Sequence, residues 1–156
     1  MRIALYQPDI AGNVGTILRM AACFGVPCDI IHPCGFAFSE RGLKRAGMDY
    51  AMQADISQHA DWTAFEKSVT LAKRRIILLS SKAPVALPHA TFETDDIILM
   101  GSESAGVPKN VHDRADHRVY IPMQTGFRSL NVAVAAGIAL AEGLRQTGQF
   151  PNGVNA

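Results

Sequence analysis

Residues 121–140 read Ile121-Pro122-Met123-Gln124-Thr125-Gly126-Phe127-Arg128-Ser129-Leu130-Asn131-Val132-Ala133-Val134-Ala135-Ala136-Gly137-Ile138-Ala139-Leu140, and they decide how the rest of the chain is arranged. A strand ends at Pro122, a polar loop follows, and a nearly all-apolar helix begins with Ser129 as its predicted N-cap. The N-terminus of such a helix presents free backbone N–H groups and a partial positive charge. A helix that is apolar on all sides must be covered on all sides, so we expect its own domain and a second subunit to pack against it.

The bulk composition indicates one cytoplasmic globular domain. A chain of 156 residues can bury a core within a single domain. No apolar run reaches the roughly 18 residues of a membrane span, and a strand-like Arg2–Tyr6 leaves no room for a signal peptide. Cys23, Cys28 and Cys34 lack C-x-x-C spacing, which favours idle thiols in a reducing cytosol over a metal site. We therefore expect no membrane segment and no metal.

Charge alone does not identify a nucleic-acid binder. The net charge of +1 is smaller than the positive charge expected of a protein dedicated to nucleic-acid binding. Local clusters are still compatible with such a role: Arg41, Lys44 and Arg45 share one face of a predicted short helix, either as phosphate contacts or as a solvated face.

Apolar runs and capping signals predict alternating strands and helices. Strands are expected over residues 2–6, 26–31, 75–79, 97–100 and 118–121, with a shorter one over 49–54. Helices are expected from an Asn13 cap to about Phe24, over 40–46 after Ser39, from an Asp61 cap to Lys73, and over 108–114. A polar loop is expected over 80–94. Continuous apolar strands bounded by helices predict an α/β fold, a mostly parallel sheet with helices on both faces, as one domain spanning residues 1–156.

Three segments at strand-to-helix transitions are candidates for chemistry, because α/β sheets place their ligands there. In the first, Asn13 to Arg19, one cation lies on an apolar helix and needs a partner or ligand, unless it is simply an exposed arginine. In the second, Gly101 to Pro108, two glycines permit close backbone approach to a ligand, although an ordinary turn also fits. It is neither a P-loop nor G-x-G-x-x-G.

The third segment is the opening one, and its helix body is adequately explained as buried core. Core packing explains Arg128 and Asn131 less well, because a buried asparagine must find several hydrogen-bond partners.

Taken in order, these segments resemble the three motifs of the SPOUT RNA methyltransferases. They match Asn-x-Gly-x-x-x-Arg, Gly-x-Glu-x-x-Gly and Ile-Pro-Met…Ser-Leu-Asn, and the resemblance covers essentially the whole chain. It is closest to the minimal members that methylate the ribose 2′-OH of the tRNA wobble nucleotide, a cytidine or modified uridine at position 34. Residues 5–10, 35–37 and 43–50 look like that subgroup.

The resemblance implies a C-terminal trefoil knot, a homodimer, S-adenosylmethionine as cofactor and tRNA as partner, with leucine isoacceptors as expected substrates. The matching catalytic residues are Asn13, Arg19, Glu103, Ser129 and Asn131. The matching cofactor-binding residues are Leu79, Gly101, Ile121, Met123, Ser129 and Leu130. The candidates for contact with substrate RNA are Arg41, Lys44, Arg45 and Arg128.

The chemistry limits what the motif-one arginine can do. A guanidinium is effectively always protonated, so we interpret Arg19 as a clamp on the phosphate beside the reacting ribose rather than as the base. Glu103 is expected to orient Arg19 or Asn13. Three other functions are weighed: a 2′-O-methyltransferase acting on another tRNA or rRNA position, a catalytically silent RNA- or nucleotide-binding dimer, and an unrelated Rossmann-like nucleotide enzyme.

Overall fold

The computed structural model describes residues 1–38 and 53–153. Its strands are β1 (Arg2–Tyr6), β2 (Cys28–Ile31), β3 (Ile56–His59), β4 (Ile76–Leu79), β5 (Val85–Ala86), β6 (Ile97–Met100) and β7 (His117–Tyr120). Its helices are α1 (Ala11–Phe24), α2 (Trp62–Leu71), α3 (Lys109–Arg114) and α4 (Val132–Thr147), with a 3₁₀ turn at Leu87–His89. The strands form one parallel sheet in the order β3-β2-β1-β6-β4-β7-β5.

The strands at and near the centre of the sheet are mostly apolar, although β2 contains the buried Asp29. β2, β4 and β6 are buried along their whole length, as expected of parallel strands covered on both faces. In the register, Met100 lies beside Leu5 on one side and beside Leu79 on the other. The carboxyl ends of β1, β6 and β4 therefore meet at one edge.

Helices cover the two faces of this sheet with two separate apolar clusters. On one face, Ile17 and Leu18 of α1 and Leu140 of α4 pack with Ile3 and other strand residues. On the other face, Phe65 of α2 and Val111 of α3 pack with the remaining strand side chains. The predicted α/β class with a parallel sheet and helices on both faces is confirmed.

Two predicted helix starts are wrong, whereas a third is confirmed. α1 begins at Ala11 with Ile10 at its cap, so Asn13 lies inside the first turn, where its side chain bonds elsewhere. α4 begins at Val132, and Asn131, not Ser129, caps it by accepting from two backbone N–H groups. Asp61 caps α2 as predicted, accepting from the Ala64 N–H at 2.8 Å.

The remaining differences concern short or polar elements. β3 lies after the strand predicted over 49–54, and most of that range is outside the described residues, as is the helix predicted over 40–46. The loop predicted over 80–94 contains β5 and the 3₁₀ turn, because its apolar Val85 and Leu87 join the edge of the sheet and the core. The trefoil knot stays a prediction. Within residues 1–38 and 53–153, none of the helices has the length and apolar character needed to cross a bilayer.

Candidate active site

A cavity of about 670 Å³ opens at the carboxyl ends of β4, β6 and β7. Its floor includes Leu79, Met100 and Tyr120, and its walls come from the turn after β6 and the loop that precedes α4. This is the edge at which parallel α/β sheets bind ligands, and the volume lies in the usual range for small-molecule sites.

The six residues predicted to bind the cofactor all line this cavity. They are Leu79, Gly101, Ile121, Met123, Ser129 and Leu130. The turn after β6 is closed by paired backbone bonds between Ser102 and Gly106, at 3.0 and 2.9 Å. A Cβ at Gly101 would lie 2.7 Å from the Gly106 carbonyl carbon, so this turn requires glycine at that position.

A chain of hydrogen bonds joins the three predicted motifs beside the cavity. Glu103 Oε1 accepts from Asn13 Nδ2 at 2.9 Å, and Asn13 Oδ1 accepts from Asn131 Nδ2 at 3.0 Å. Asn131 Oδ1 in turn accepts from the Ala133 and Val134 N–H groups at the start of α4. Residues separated by 90 and 118 positions in the sequence are thereby held together.

The direction of this chain is set from both ends. A carboxylate only accepts, so Asn13 must present its NH₂ group to Glu103 and its oxygen to Asn131. The α4 N–H groups only donate, so Asn131 must present its oxygen to them and its NH₂ group to Asn13. Both requirements give the same amide orientations, which explains why asparagine occupies both central positions.

Asp9 is a member of this cluster that sequence reasoning missed. Its N–H donates to Glu103 Oε2 at 3.2 Å, and its carboxylate accepts from the Glu103 and Ser104 N–H groups at 3.0 and 3.2 Å. The Ser104 hydroxyl also bonds to the carboxylate. These contacts with Glu103 and Ser104 lower the pKa of Asp9 below its ordinary value. Its place just after the carboxyl end of a buried strand was the signal that could have identified it.

The other predicted site residues occupy three kinds of position. Ser129 and Arg128 are exposed and line the cavity. Arg19 is exposed on α1 and is not among the described residues that line the cavity. Arg41, Lys44 and Arg45 lie outside the described residues.

Phe127, beside Arg128, is 74% exposed, and the sequence analysis did not consider it. An aromatic side chain in an otherwise polar glycine-bearing loop was the available signal, since exposed aromatic residues suit stacking on RNA bases.

The cavity suits an adenosine-type cofactor. It combines apolar side chains, such as Leu79, Ile121 and Leu130, with the polar backbone of the turn over residues 101–106. Apolar walls with a few convergent polar groups are typical of sites for such ligands. Across the described ranges, no group of three histidine, cysteine or acidic side chains is arranged to hold a metal ion.

The fold and the motif geometry define a methyltransferase of the SPOUT class, and comparison with known families agrees. Residues 1–141 match the SpoU rRNA Methylase family, so the chain belongs to that family.

Individual relatives carry more specific descriptions. A tRNA (cytidine(34)-2′-O)-methyltransferase of Beijerinckia indica subsp. indica is 52% identical over 154 residues, covering 99% of this chain and 96% of that protein. A solved structure concerned with 2-OH methylation of C/U34 on tRNA is 39% identical, with a TM-score of 0.86 and coverage of 93% and 94%. An AdoMet-bound rRNA methyltransferase from Sinorhizobium meliloti is 27% identical with a TM-score of 0.82, over 92% of this chain and 55% of its own.

Proposed function

We propose that this protein transfers a methyl group from S-adenosylmethionine to the ribose 2′-oxygen of the wobble nucleotide, position 34, of tRNA. The observation that carries the proposal is the bonded set of Glu103, Asn13 and Asn131, which brings all three motifs to the edge of a cofactor-sized cavity. The relative from Beijerinckia indica, named for the same reaction, supports it over nearly the full length of both chains.

The residues of the cavity divide between holding the cofactor and presenting the hydroxyl. Leu79, Ile121 and Leu130 supply apolar walls, while Gly101 permits the tight turn that forms another side of the cavity. S-adenosylmethionine, when bound, supplies a methyl carbon activated by the adjacent positive sulfur. The protein must then align the 2′-oxygen and accept its proton, and fixed alignment alone can account for a large part of such a rate enhancement.

The bonded chain supplies fixed polar groups near that alignment. Glu103 accepts from the Asn13 side chain and from the Asp9 N–H, which supports a role in orienting Asn13, one of the two alternatives from the sequence. The exposed position of Arg19 suits a clamp on the phosphate next to the ribose better than a buried base. Ser129 and Arg128 are proposed to face the substrate from the cavity mouth, with Arg41, Lys44 and Arg45 as further phosphate contacts.

A second copy of the chain is the proposed partner of α4. Val134 is 52% exposed and Ile138 is 39% exposed, and they lie one turn apart on a helix segment, 132–141, that contains no charged residue. α1 packs beside α4 and carries a single charged residue, Arg19, so the neighbouring surface is also mostly uncharged. Apolar helix faces of this kind are normally covered, which supports a homodimer.

The direct test is methyl transfer from labelled S-adenosylmethionine to unmodified tRNAs, with the modified nucleotide mapped. Label at the 2′-oxygen of nucleotide 34 is expected, with leucine isoacceptors among the substrates. Because the family is described by rRNA methylation, rRNA fragments belong in the same assay. Label in rRNA only, or at another tRNA position, would replace the proposed substrate; cofactor binding without transfer would indicate a silent binding dimer.

Two coarser proposals accompany this one. Residues 1–156 form one SPOUT domain, which is supported by the single sheet that contains all the described strands. The protein acts in the cytoplasm, where tRNA is available and where the free thiols of Cys23, Cys28 and Cys34 stay reduced.

A further inference from the structure

The Asp9 carboxylate lies next to Glu103, which bonds to Asn13, and it accepts more hydrogen bonds than a turn residue requires. It accepts from two successive N–H groups, those of Glu103 and Ser104, and bonds to the Ser104 hydroxyl. Its own N–H returns a bond to Glu103 Oε2. The segments so joined are 94 residues apart in the sequence, so these bonds connect the end of β1 to the turn after β6.

A second segment, the loop at Gly35, also packs closely against Asp9. The Gly35 N–H donates to the Pro8 carbonyl at 2.9 Å, and a Cβ at Gly35 would lie 2.8 Å from both Cα and Cβ of Asp9. Only glycine lets the 33–36 loop approach this closely. Asp9 is therefore held between that loop and the turn that bears Glu103.

Glu103 depends on this arrangement for its own direction. Of its two carboxylate oxygens, Oε1 holds Asn13 and Oε2 is fixed by the Asp9 N–H. The backbone of Glu103 is fixed by the Asp9 carboxylate. Charge-assisted bonds of this type are shorter and stronger than neutral ones, so they can hold an exposed turn in one conformation.

We propose that Asp9 is a positioning residue for methyl transfer: it fixes the 101–106 turn and, through it, the direction of the Glu103 carboxylate. The inference rests on the proposed methyltransferase activity. Asp9 acts through Glu103 and Asn13 and does not itself contact the reacting atoms.

The test compares Asp9→Asn with the wild-type protein in steady-state methyl transfer to tRNA. The replacement keeps the side-chain shape but removes the charge and turns one acceptor into a donor facing other donors. We expect kcat to fall about tenfold or more, because small misplacements of aligned groups are costly, while KM for tRNA and affinity for S-adenosylmethionine change little. Asp61→Asn is the matched control, since Asp61 also accepts a backbone N–H but caps α2.

Coupling to Glu103 separates positioning from a general structural effect. If Asp9 acts through Glu103, the double variant Asp9→Asn/Glu103→Gln loses less activity than the product of the two single losses. Independent, multiplying losses would overturn the proposal, as would an Asp9→Asn kcat that stays within about twofold of wild type. If Asp9→Asn does not fold, Gly35→Ala decides, because its Cβ would displace Asp9 with the charge intact: lowered kcat supports the proposal and unchanged kcat overturns it. Inactive wild-type protein would instead refute the proposed function.

Discussion

Glu103 is the residue on which the largest effect on methyl transfer is expected. Replacing it with alanine removes the acceptor of Asn13 Nδ2 and the acceptor of the Asp9 N–H together. Asn13 is then free to rotate away from Asn131, and we expect kcat to fall about 100-fold, the scale of a misplacement of about 1 Å. Steady-state assays with saturating tRNA would measure it.

A carboxylate outside the site gives the control for this prediction. Glu66 pairs with Arg114 at 3.0 Å on a partly exposed surface, so Glu66→Ala should leave kcat unchanged and cost at most about 1 kcal/mol of stability. Equal activities of the two alanine variants would remove Glu103 from the site.

Asp9 also predicts a pH dependence of stability. Its contacts with Glu103 and Ser104 lower its pKa in the folded protein below the ordinary 3.8, so the stability they contribute is present above that value. It is lost as the pH falls through the ordinary value towards the folded one. The free energy of unfolding of wild type should therefore exceed that of Asp9→Asn more at about pH 7 than at about pH 3.5, as measured by urea unfolding.

Other carboxyl groups with a lowered pKa contribute equally to the stability of wild type and variant, so their contributions cancel in that comparison. Hydrogen bonds, mainly from Arg145 and also from Gln146, lower the pKa of Glu142 to about 2, but wild type and Asp9→Asn both contain Glu142. A difference between wild type and variant that is the same at both pH values would contradict the assignment.

The sequence predicted the identities of the site residues better than their local roles. Asn131 was singled out because a buried asparagine needs several partners; it is in fact exposed, but its side chain does bond to Asn13 from a distant segment. Asn13 was singled out as a helix cap and by its motif, and its side chain bonds to Glu103 and Asn131 instead. The cap role of Asn13 was wrong because its side chain bonds to distant segments, and that of Ser129 was wrong because Asn131 caps α4. Capping propensity is a local rule, whereas a bond to a residue 90 positions away is not visible in a local pattern.

At the start of α4, capping and site geometry can be separated by one substitution. Asn131→Asp keeps the oxygen that accepts from Ala133 and Val134 but replaces the NH₂ group that bonds to Asn13. Asp and Asn cap equally well, and a negative charge suits a helix N-terminus, so the cap should be kept and the loss of the exposed bond to Asn13 should cost about 1 kcal/mol of stability.

Methyl transfer by this variant should nevertheless fall, because two oxygens then face each other where a hydrogen bond was. Thermal unfolding and kcat, measured on the same preparation, test whether the substitution lowers activity while the helix cap is kept. An Asn131→Asp variant with full activity would show that the bond to Asn13 is unnecessary.

The outward face of α4 predicts the oligomeric state. Placing a charge at Ile138, as in Ile138→Asp, should convert a homodimer to monomers, because an unpaired carboxylate in an apolar interface is strongly disfavoured. Light scattering after size-exclusion chromatography would measure the mass.

Leu71→Asp is the matched control, since Leu71 is 77% exposed on α2, on the opposite face of the sheet. A wild-type mass of 16.8 kDa, or equal masses for both variants, would contradict the proposed interface.

Strands with strong apolar character were predictable, whereas edge elements were not. β4 and β6 read Ile-Ile-Leu-Leu and Ile-Ile-Leu-Met, and burial on both faces explains those runs. β3 reads Ile-Ser-Gln-His at the edge of the sheet, where polar side chains are acceptable and the apolar signal disappears. β5 has only two residues, too few for any period to be recognised.

The strand order belongs to the whole molecule and lies beyond local patterns. β6 lies between β1 and β4 in the sheet although it is adjacent to neither in sequence, since β5 and the 3₁₀ turn come between β4 and β6, and this placement brings the three motifs to one edge. An apolar run predicts that a strand is central in the sheet, but it does not predict which strands are its neighbours. The resemblance to the SPOUT family predicted that the three motifs form one site, but it gave no strand order.

The nearly neutral whole-chain charge makes RNA affinity depend on a few local contacts. With a net charge of +1, the general electrostatic attraction to tRNA is weak. The slope of log K against log salt should therefore report the number of specific phosphate contacts. Arg128 lines the cavity mouth beside exposed Phe127. Arg128→Ala should weaken tRNA binding and reduce the slope of log K against log salt by about 0.7, the value for one phosphate of a single strand.

Arg145 provides the comparison on the same part of the chain. It is 67% exposed but pairs with Glu142 at 2.8 Å near the far end of α4, so its charge is already neutralised. Arg145→Ala should leave the salt slope unchanged, whereas removal of a phosphate contact must change it because fewer counterions are released. Equal slopes for both variants and wild type would place the RNA on another surface of the protein and leave Arg128 a cofactor-side residue only.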